Sequence, residues 1–319
     1  MGKMATREAY GRALAEFGTD ERMVVLDADL SKSTYTVTFK KVFPERHFNM
    51  GIAEGNMMTV AAGMSTCGKI PFASTFAIFA AERALEQIRN SACYPNLSVK
   101  VCATHAGITV GEDGASHQCV EDLTIMRALP NMHVISPCDG NSTRAAIRVA
   151  MDTPGPFYVR LGRLAVEDVY GAYGDEISFT LGKANTIREG TDVTLIGTGM
   201  MVQQCLAAAD MLAQEGIKAR VLDMHTIKPI DADAIIKASK ETGAIVTAEE
   251  HSILGGLGGA VAEVLTENAP CIQKRIGIKD MFGQSGKPAA LIELYGLMPV
   301  DVANAAREAI AARDAIAAR

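Results

Sequence analysis

Apolar positions recur along this chain at two alternating periods. Short β-branched runs at Met23–Leu26, Ile70–Ser74, Ser98–Thr104, His133–Ser136 and Phe157–Leu161 are separated by longer stretches with helical spacing. That alternation predicts a parallel sheet covered by helices. A second series follows the same rule, with strands at Val193–Thr198, Lys218–Asp223 and Ala244–Ala248 and helices at Met200–Gln214, Ala232–Thr242 and Gly259–Glu267. It reads as another βαβαβ unit. Between the two, Leu164–Gly190 is charged, Gly-containing and weakly periodic, which suits a connection with one short strand at Ile177–Leu181. The expected fold class is therefore α/β, with two consecutive domains that are each a mainly parallel sheet flanked by helices: residues 1–165, a linker 166–190, and residues 191–319. Met1 to Phe17 reads as an amphipathic helix, and the Ala-rich tail from Val302 to Arg319 as another.

One helix departs from the usual pattern. After Asn49-Met50-Gly51-Ile52-Ala53, the run from Glu54 to about Gly63 leaves hardly any polar face, which predicts a helix buried on all sides with a carboxylate at its start. Two readings of Glu54 stand. It complements the helix dipole and the free N–H groups of the first turn, or it is a desolvated carboxyl of raised pKa, placed to share a proton with a ligand nitrogen. Ser74-Thr75-Phe76-Ala77-Ile78-Phe79 begins the next helix, running to about Cys93, with Phe76 and Phe79 on one face. That pair suits core packing and equally a seat for a flat heterocycle.

The stretch from Thr104 to Gln118 sets His105, His117, Glu112 and Asp113 among glycines between a strand and a helix. Glycines let backbone approach a ligand, and His beside Asp can relay protons and hold hydroxyls, so polyol or sugar chemistry competes with a solvated turn. Asp27 and Asp29 and His105 follow strands, and Arg160 and Arg163 lie around the end of the last one, at the edge where open parallel sheets bind ligands. Singly, each reads as a cap or a surface ion pair. Gly197-Thr198-Gly199 lacks the third glycine of a dinucleotide fingerprint. Gly255-Gly256-Leu257-Gly258-Gly259 opens a helix and can hold an anion, although close packing or a hinge is the commoner use.

Composition narrows the partners. With 319 residues and 48% hydrophobic content the chain can build two cores. A net charge of −6 without a Lys/Arg cluster argues against nucleic acid or an anionic membrane surface as main partner. No apolar run approaches the roughly 18 residues of a membrane span. Seven scattered cysteines, with no C-x-x-C pair, fit neither a disulfide framework nor a zinc site and point to a reducing cytoplasm.

The residues already named, taken together, carry a resemblance. Gly51-Ile52-Ala53-Glu54, Ser74-Thr75-Phe76-x-x-Phe79, Thr104-His105-Ala106-Gly107-Ile108, Gly111-Glu112-Asp113-Gly114-Ala115-Ser116-His117-Gln118 and Glu121-Asp122-Leu123 resemble the pyrimidine-binding domain of transketolases. Asp223-Met224-His225-Thr226-Ile227-Lys228-Pro229-Ile230-Asp231, Glu249-Glu250-His251 and Phe282-Gly283-Gln284-Ser285-Gly286 with Leu294-Tyr295-Gly296-Leu297 resemble the same family's C-terminal domain. The resemblance implies a thiamine diphosphate enzyme that moves a two-carbon ketol unit between sugar phosphates. It implies that Glu54 bonds the aminopyrimidine ring nitrogen and promotes the imino tautomer, whose nitrogen removes the thiazolium proton. It places Phe76 and Phe79 at the pyrimidine and Asp29 near the cofactor. It turns His105, Asp113 and His117 toward substrate hydroxyls or phosphate, and makes Arg163, rather than Arg160, the phosphate-binding arginine. Glu82 departs from the family, which commonly has an aromatic there.

The family's N-terminal domain carries a Gly-Asp-Gly motif, with an Asn farther on, that holds Mg²⁺ and the diphosphate. This chain has no such pair, Asp139-Gly140-Asn141 being too compact, and it begins with its initiating Met where the family's second domain begins. The resemblance thus implies the C-terminal subunit of a split transketolase. The expected assembly is a homodimer that joins a Gly-Asp-Gly subunit in a two-plus-two heterotetramer, with the metal ligands on that partner. Deoxyxylulose-phosphate synthase and the beta subunit of 2-oxoacid dehydrogenases share the architecture, but the Thr-His and Gly-Glu-Asp-Gly loops lean toward transketolase. A noncatalytic scaffolding subunit of the same fold is the reading from a different class.

Overall fold

The computed structural model describes residues 2–318. Its strands are β1 (Lys3–Ala5), β2 (Met23–Asp27), β3 (His47–Asn49), β4 (Ile70–Phe76), β5 (Lys100–Thr104), β6 (His133–Ile135), β7 (Phe157–Arg160), β8 (Ala165–Glu167), β9 (Asn185–Arg188), β10 (Val193–Gly197), β11 (Ala219–Asp223), β12 (Thr226–Lys228), β13 (Ala244–Ser252) and β14 (Ile272–Ile278). Seven form one sheet in the order β12-β6-β7-β5-β4-β2-β3, parallel except for β12. Five form a second sheet in the order β14-β13-β10-β11-β9, parallel except for β9. Strands covered on both faces read as continuous apolar runs. Met23-Val24-Val25-Leu26 and Val193-Thr194-Leu195-Ile196 are buried throughout for that reason. The expected α/β class, two helix-flanked and mainly parallel sheets in succession, is the class observed.

Several local expectations are corrected. Lys3–Ala5 is not helical but pairs antiparallel with β8, so the first helix is Thr6–Phe17. The predicted helix ends at Met1 and Arg319 lie outside the described residues. Ser74–Phe76 continue β4, because its ladder with β5 runs on until Phe76 opposes Thr104. The helical run that follows, 79–93, winds in wide π turns at Phe79–Arg83 and Ile88–Cys93. No strand forms at Ile177–Leu181; Phe179 instead stacks on His225 at 3.9 Å, and the strand of the connection is Asn185–Arg188, which belongs to the second sheet. The span 166–190 thus carries β9 of the second sheet, and Thr226–Lys228, from the second unit, completes the first sheet beside β6.

The helix Glu54–Thr66 turns Met57, Met58, Ala61 and Ala62 into the core, but Asn56, Thr59 and Gly63 face solvent, so it is not buried on all sides in the single chain. Burying each such Met stabilises the fold by roughly 1.5–3 kcal/mol. That core extends through Leu123 and Met126 to Met224, Ile227 and Leu257, joining the two sheets in one apolar cluster. The Gly-rich start of the helix Leu257–Asn268 does take an anion, and it is the chain's own: Glu249 accepts from the amides of Leu257 and Gly258 at 2.7 and 2.8 Å.

Candidate functional site

The C-terminal ends of β2, β4 and β5 lie side by side, and the residues that leave them converge. Phe76 is the last residue of β4, and its ring lies 3.9 Å from that of His105, the first residue after β5. His105 sits at φ 59°, a backbone conformation that few non-glycine residues adopt. Phe79 lies nearly parallel to Phe76 at 5.8 Å, and His117 meets both rings edge-on, at 6.3 and 5.7 Å. The pairing expected from a shared helix face is thus produced differently, by a strand end and the helical turn after it.

Glu54, 2% exposed, is the first residue of its helix. Its carboxylate receives Arg83 Nη1 at 3.1 and 3.3 Å, and the Arg83 guanidinium lies 4.5 Å from the centroid of Phe79. The carboxylate, one aromatic face and a planar cation therefore form a single cluster. Sequence reasoning passed over Arg83, since a charge at helical spacing looks like a solvated surface. Its place one turn after Phe79 was the available signal.

Two electrostatic features shape the mouth of the site. Burial, then the nearby Arg7 and Arg163 guanidinium groups, push the His105 pKa down to about 3, so its imidazole is neutral near pH 7. His105 Nδ1 pairs with Thr104 Oγ1 at 2.9 Å, which leaves Nε2 for a ligand. Arg163 donates to the Val110 carbonyl and stands 3.6 Å from the Glu112 carboxylate, so it borders the same loop. Asp113 is exposed on that loop, and His117 is half-buried there with Nδ1 3.0 Å from Ser116 Oγ.

Asp29 stands farther off. At φ 64° and exposed, it accepts from Asn49 Nδ2 at 2.8 Å, while Asn49 Oδ1 accepts from the Gly51 amide, linking it to the turn that leads into Glu54. Arg160 is spent elsewhere: it is buried, bonds Asp122 at 2.8 and 3.1 Å and donates to the Glu250 carbonyl. Burial alone would raise the Asp122 pKa, yet Arg160 and its hydrogen bonds outweigh that and lower it. Asp139 is likewise committed as a helix cap, accepting from Ser142 N at 2.7 Å and from the Val169 and Tyr170 amides.

The second unit reaches into the site through residues whose roles no spacing revealed. Glu250 Oε1 accepts from the Thr109 amide at 2.7 Å, Ser285 Oγ donates to the Glu112 carbonyl, and Gln118 Nε2 donates to the Gln284 carbonyl. Gly107, at φ 79°, packs so closely on Glu250 that a Cβ there would lie 2.3 Å from its carboxyl. Glu82, Cys119 and Glu121 bring possible ligand atoms within 4.8 Å of one another, although no sequence spacing suggested it. The Cys119 thiol is pushed up by burial and by Asp122 and Glu121, which keeps it protonated and a poor metal ligand.

This is a two-sheet α/β protein with a pair of parallel phenylalanine rings, a buried carboxylate and two histidines at the parallel strand ends. Residues 2–168 match the family described as "Transketolase, pyrimidine binding domain", and residues 182–302 match "Transketolase, C-terminal domain". A protein of Methanocaldococcus jannaschii described as a transketolase C-terminal section is 53% identical, over 91% of this chain and 92% of its own. The 6-deoxy-6-sulfo-D-fructose transketolase subunit SqwH of a Clostridium species is 43% identical, over 95% and 93%. Among solved structures, one described as "Split gene transketolase, inactive beta4 tetramer" is 55% identical and superposes with a TM-score of 0.90, over 97% of this chain and 99% of that one. The chain belongs to the transketolase family and corresponds to its C-terminal section, pyrimidine-binding domain followed by C-terminal domain.

Proposed function

We propose that the chain is the pyrimidine-holding subunit of a thiamine diphosphate-dependent transketolase, transferring a two-carbon ketol unit from a ketose phosphate to an aldose phosphate. The observation that carries this reading is Glu54. Among the hydrogen bonds of the described residues, its buried carboxylate receives only those of Arg83, a side chain that is itself 53% exposed. A buried carboxylate with so loose a partner is suited to a ligand nitrogen that shares a proton with it. The parallel Phe76 and Phe79 rings beside it offer a face to a flat heterocycle, so the set suits an aminopyrimidine.

When bound, thiamine diphosphate supplies the electron sink for carbon–carbon bond cleavage. The chain supplies orientation and proton traffic. Glu54 holds a proton at the ring nitrogen, Phe76 and Phe79 hold the ring plane, and neutral His105 presents Nε2 to substrate hydroxyls. His117, Asp113 and Arg163 border the mouth, where a sugar phosphate needs hydrogen bonds and a cation. Asp29 acts from the turn behind Glu54. Mg²⁺ and diphosphate need oxygen ligands that Glu82, Cys119 and Glu121 do not adequately provide, so a separate N-terminal subunit bearing a Gly-Asp-Gly motif is assigned that task. The assembly inferred is a homodimer of this chain that joins the partner two-plus-two, in a reducing cytoplasm that its free thiols suit. The split-gene relative's description as an inactive tetramer supports a chain that is inactive alone. Residues 1–165 and 191–319 remain the proposed domains, with β12 exchanged across the division.

Mixing the chain with a Gly-Asp-Gly subunit, thiamine diphosphate and Mg²⁺ should produce ketol transfer that neither protein shows alone. In that mixture His117→Ala and Arg163→Ala should raise the donor KM by about tenfold and leave cofactor affinity unchanged. Loss of cofactor affinity with an unchanged donor KM would reverse the assignment of the two sides.

A further inference from the structure

Arg83 takes up both contacts that the Glu54 half-site offers. Its Nη1 bonds the two carboxylate oxygens at 3.1 and 3.3 Å, and its guanidinium lies over the Phe79 ring at 4.5 Å. A guanidinium is planar and delocalised, presents N–H donors along its edge and stacks on aromatic faces. An aminopyrimidine whose ring nitrogen shares a proton with Glu54 would bring an N–H to the same carboxylate and a flat face to the same ring. We propose that Arg83 is a built-in stand-in for the pyrimidine, taking the Glu54 carboxylate and the Phe79 face in the free chain and leaving them when the ring enters.

The two ends of the ion pair are held unequally, and that makes the exchange feasible. Glu54 is fixed by the first turn of its helix and is 2% exposed, whereas the Arg83 side chain is 53% exposed and tethered by a flexible stem. Arg83 can therefore swing into water with little disturbance, while Glu54 stays in place. It ends a wide π turn, Phe79–Arg83, and the residue after it, Ala84, leaves helical geometry at φ −105°. This turn sets Phe79 and Arg83 on one face, with Glu54 within reach.

The arrangement has two consequences. In the free chain, Arg83 spares a buried carboxylate from standing unpaired, which is costly. On binding, the ring must compete with Arg83, so apparent affinity falls in proportion to the fraction of chains whose Glu54 carboxylate is free. A ring with no nitrogen able to share a proton with Glu54 would displace Arg83 and leave the carboxylate without compensation, so the exchange also rejects such rings.

The inference rests on the cofactor reading above, yet its test does not need the assembled enzyme. The full chain is titrated with 4-amino-2-methylpyrimidine by ligand-observed NMR, as wild type, Arg83→Ala, and Arg83→Ala combined with Glu54→Gln. Arg83→Ala should bind the pyrimidine roughly two- to tenfold tighter, as expected for removal of a competing ion pair, and the added Glu54→Gln should abolish the gain. Unchanged or weaker binding by Arg83→Ala, or no binding by either form, would overturn the proposal. Because Arg83 is half-exposed, Arg83→Ala should fold, and Arg83→Gln serves as a second variant with the same expectation. If the assembled enzyme transfers ketol units while Arg83→Ala gains no affinity, only the stand-in role fails. If the variant gains affinity and no assembly transfers ketol units, the functional reading fails instead.

Discussion

Among the buried acids of this chain, Glu54 differs in what it is paired with. Glu249 caps a helix, Glu250 holds the Thr109 amide, Asp122 is locked to Arg160, and Asp139 caps another helix. Each of these is committed to backbone or to a buried partner. Among the hydrogen bonds of the described residues, Glu54 meets only an arginine from the solvent side. Exchanging its carboxylate for an amide keeps size and one acceptor but removes the proton that can be shared with a ring nitrogen. Glu54→Gln should therefore lower turnover of the assembled enzyme by about 10²–10⁴-fold, with an unchanged melting midpoint for the chain. Activity within threefold of wild type would remove Glu54 from the chemistry. That a buried carboxylate opens this helix was legible in the sequence, since it interrupts an apolar run. Its partner was not, because nothing in spacing separates Arg83 from the solvated charges around it.

Strand ends and the turns after them do the positioning. The pattern of β-branched runs placed β2, β4, β5 and β7 to within a few residues, and with them the edge that presents His105. It failed where charge or brevity hid a strand. β14 is Ile-Gln-Lys-Arg-Ile-Gly-Ile, an edge strand whose polar residues mask it, and His47–Asn49 is too short to show a period. The loop from His105 to Gln118 was recognisable from its composition, but what holds it was not, since Glu250 lies far along the chain from Thr109. That contact makes a prediction at this scale. Glu250→Ala removes a buried acceptor, at a cost of about 1–3 kcal/mol, and hydrogen exchange should report a tenfold or greater loss of protection at the Thr109 amide while β2 amides keep theirs. Unaltered protection at Thr109 would show that Glu250 does not hold the loop.

At the scale of the whole molecule, the two units behave as one support for one edge. A single apolar cluster runs from Met57 and Leu123 to Met224 and Leu257. β12 crosses from one unit into the other's sheet, and Ser285 and Gln284 brace the loop that carries His117. Two domains could be read from the periodicity, but not this exchange between them, because strand order depends on pairing and not on the sequence of each strand. On the reading proposed here, the diphosphate and its Mg²⁺ are held by another polypeptide, so the cofactor should bind only across the interface. Calorimetry of thiamine diphosphate with Mg²⁺ is the direct measurement, made first on the chain alone and then with the Gly-Asp-Gly subunit added. The account predicts no tight binding by the chain alone and stoichiometric, Mg²⁺-dependent binding once the partner is present. Tight, Mg²⁺-dependent binding to the chain by itself would contradict it.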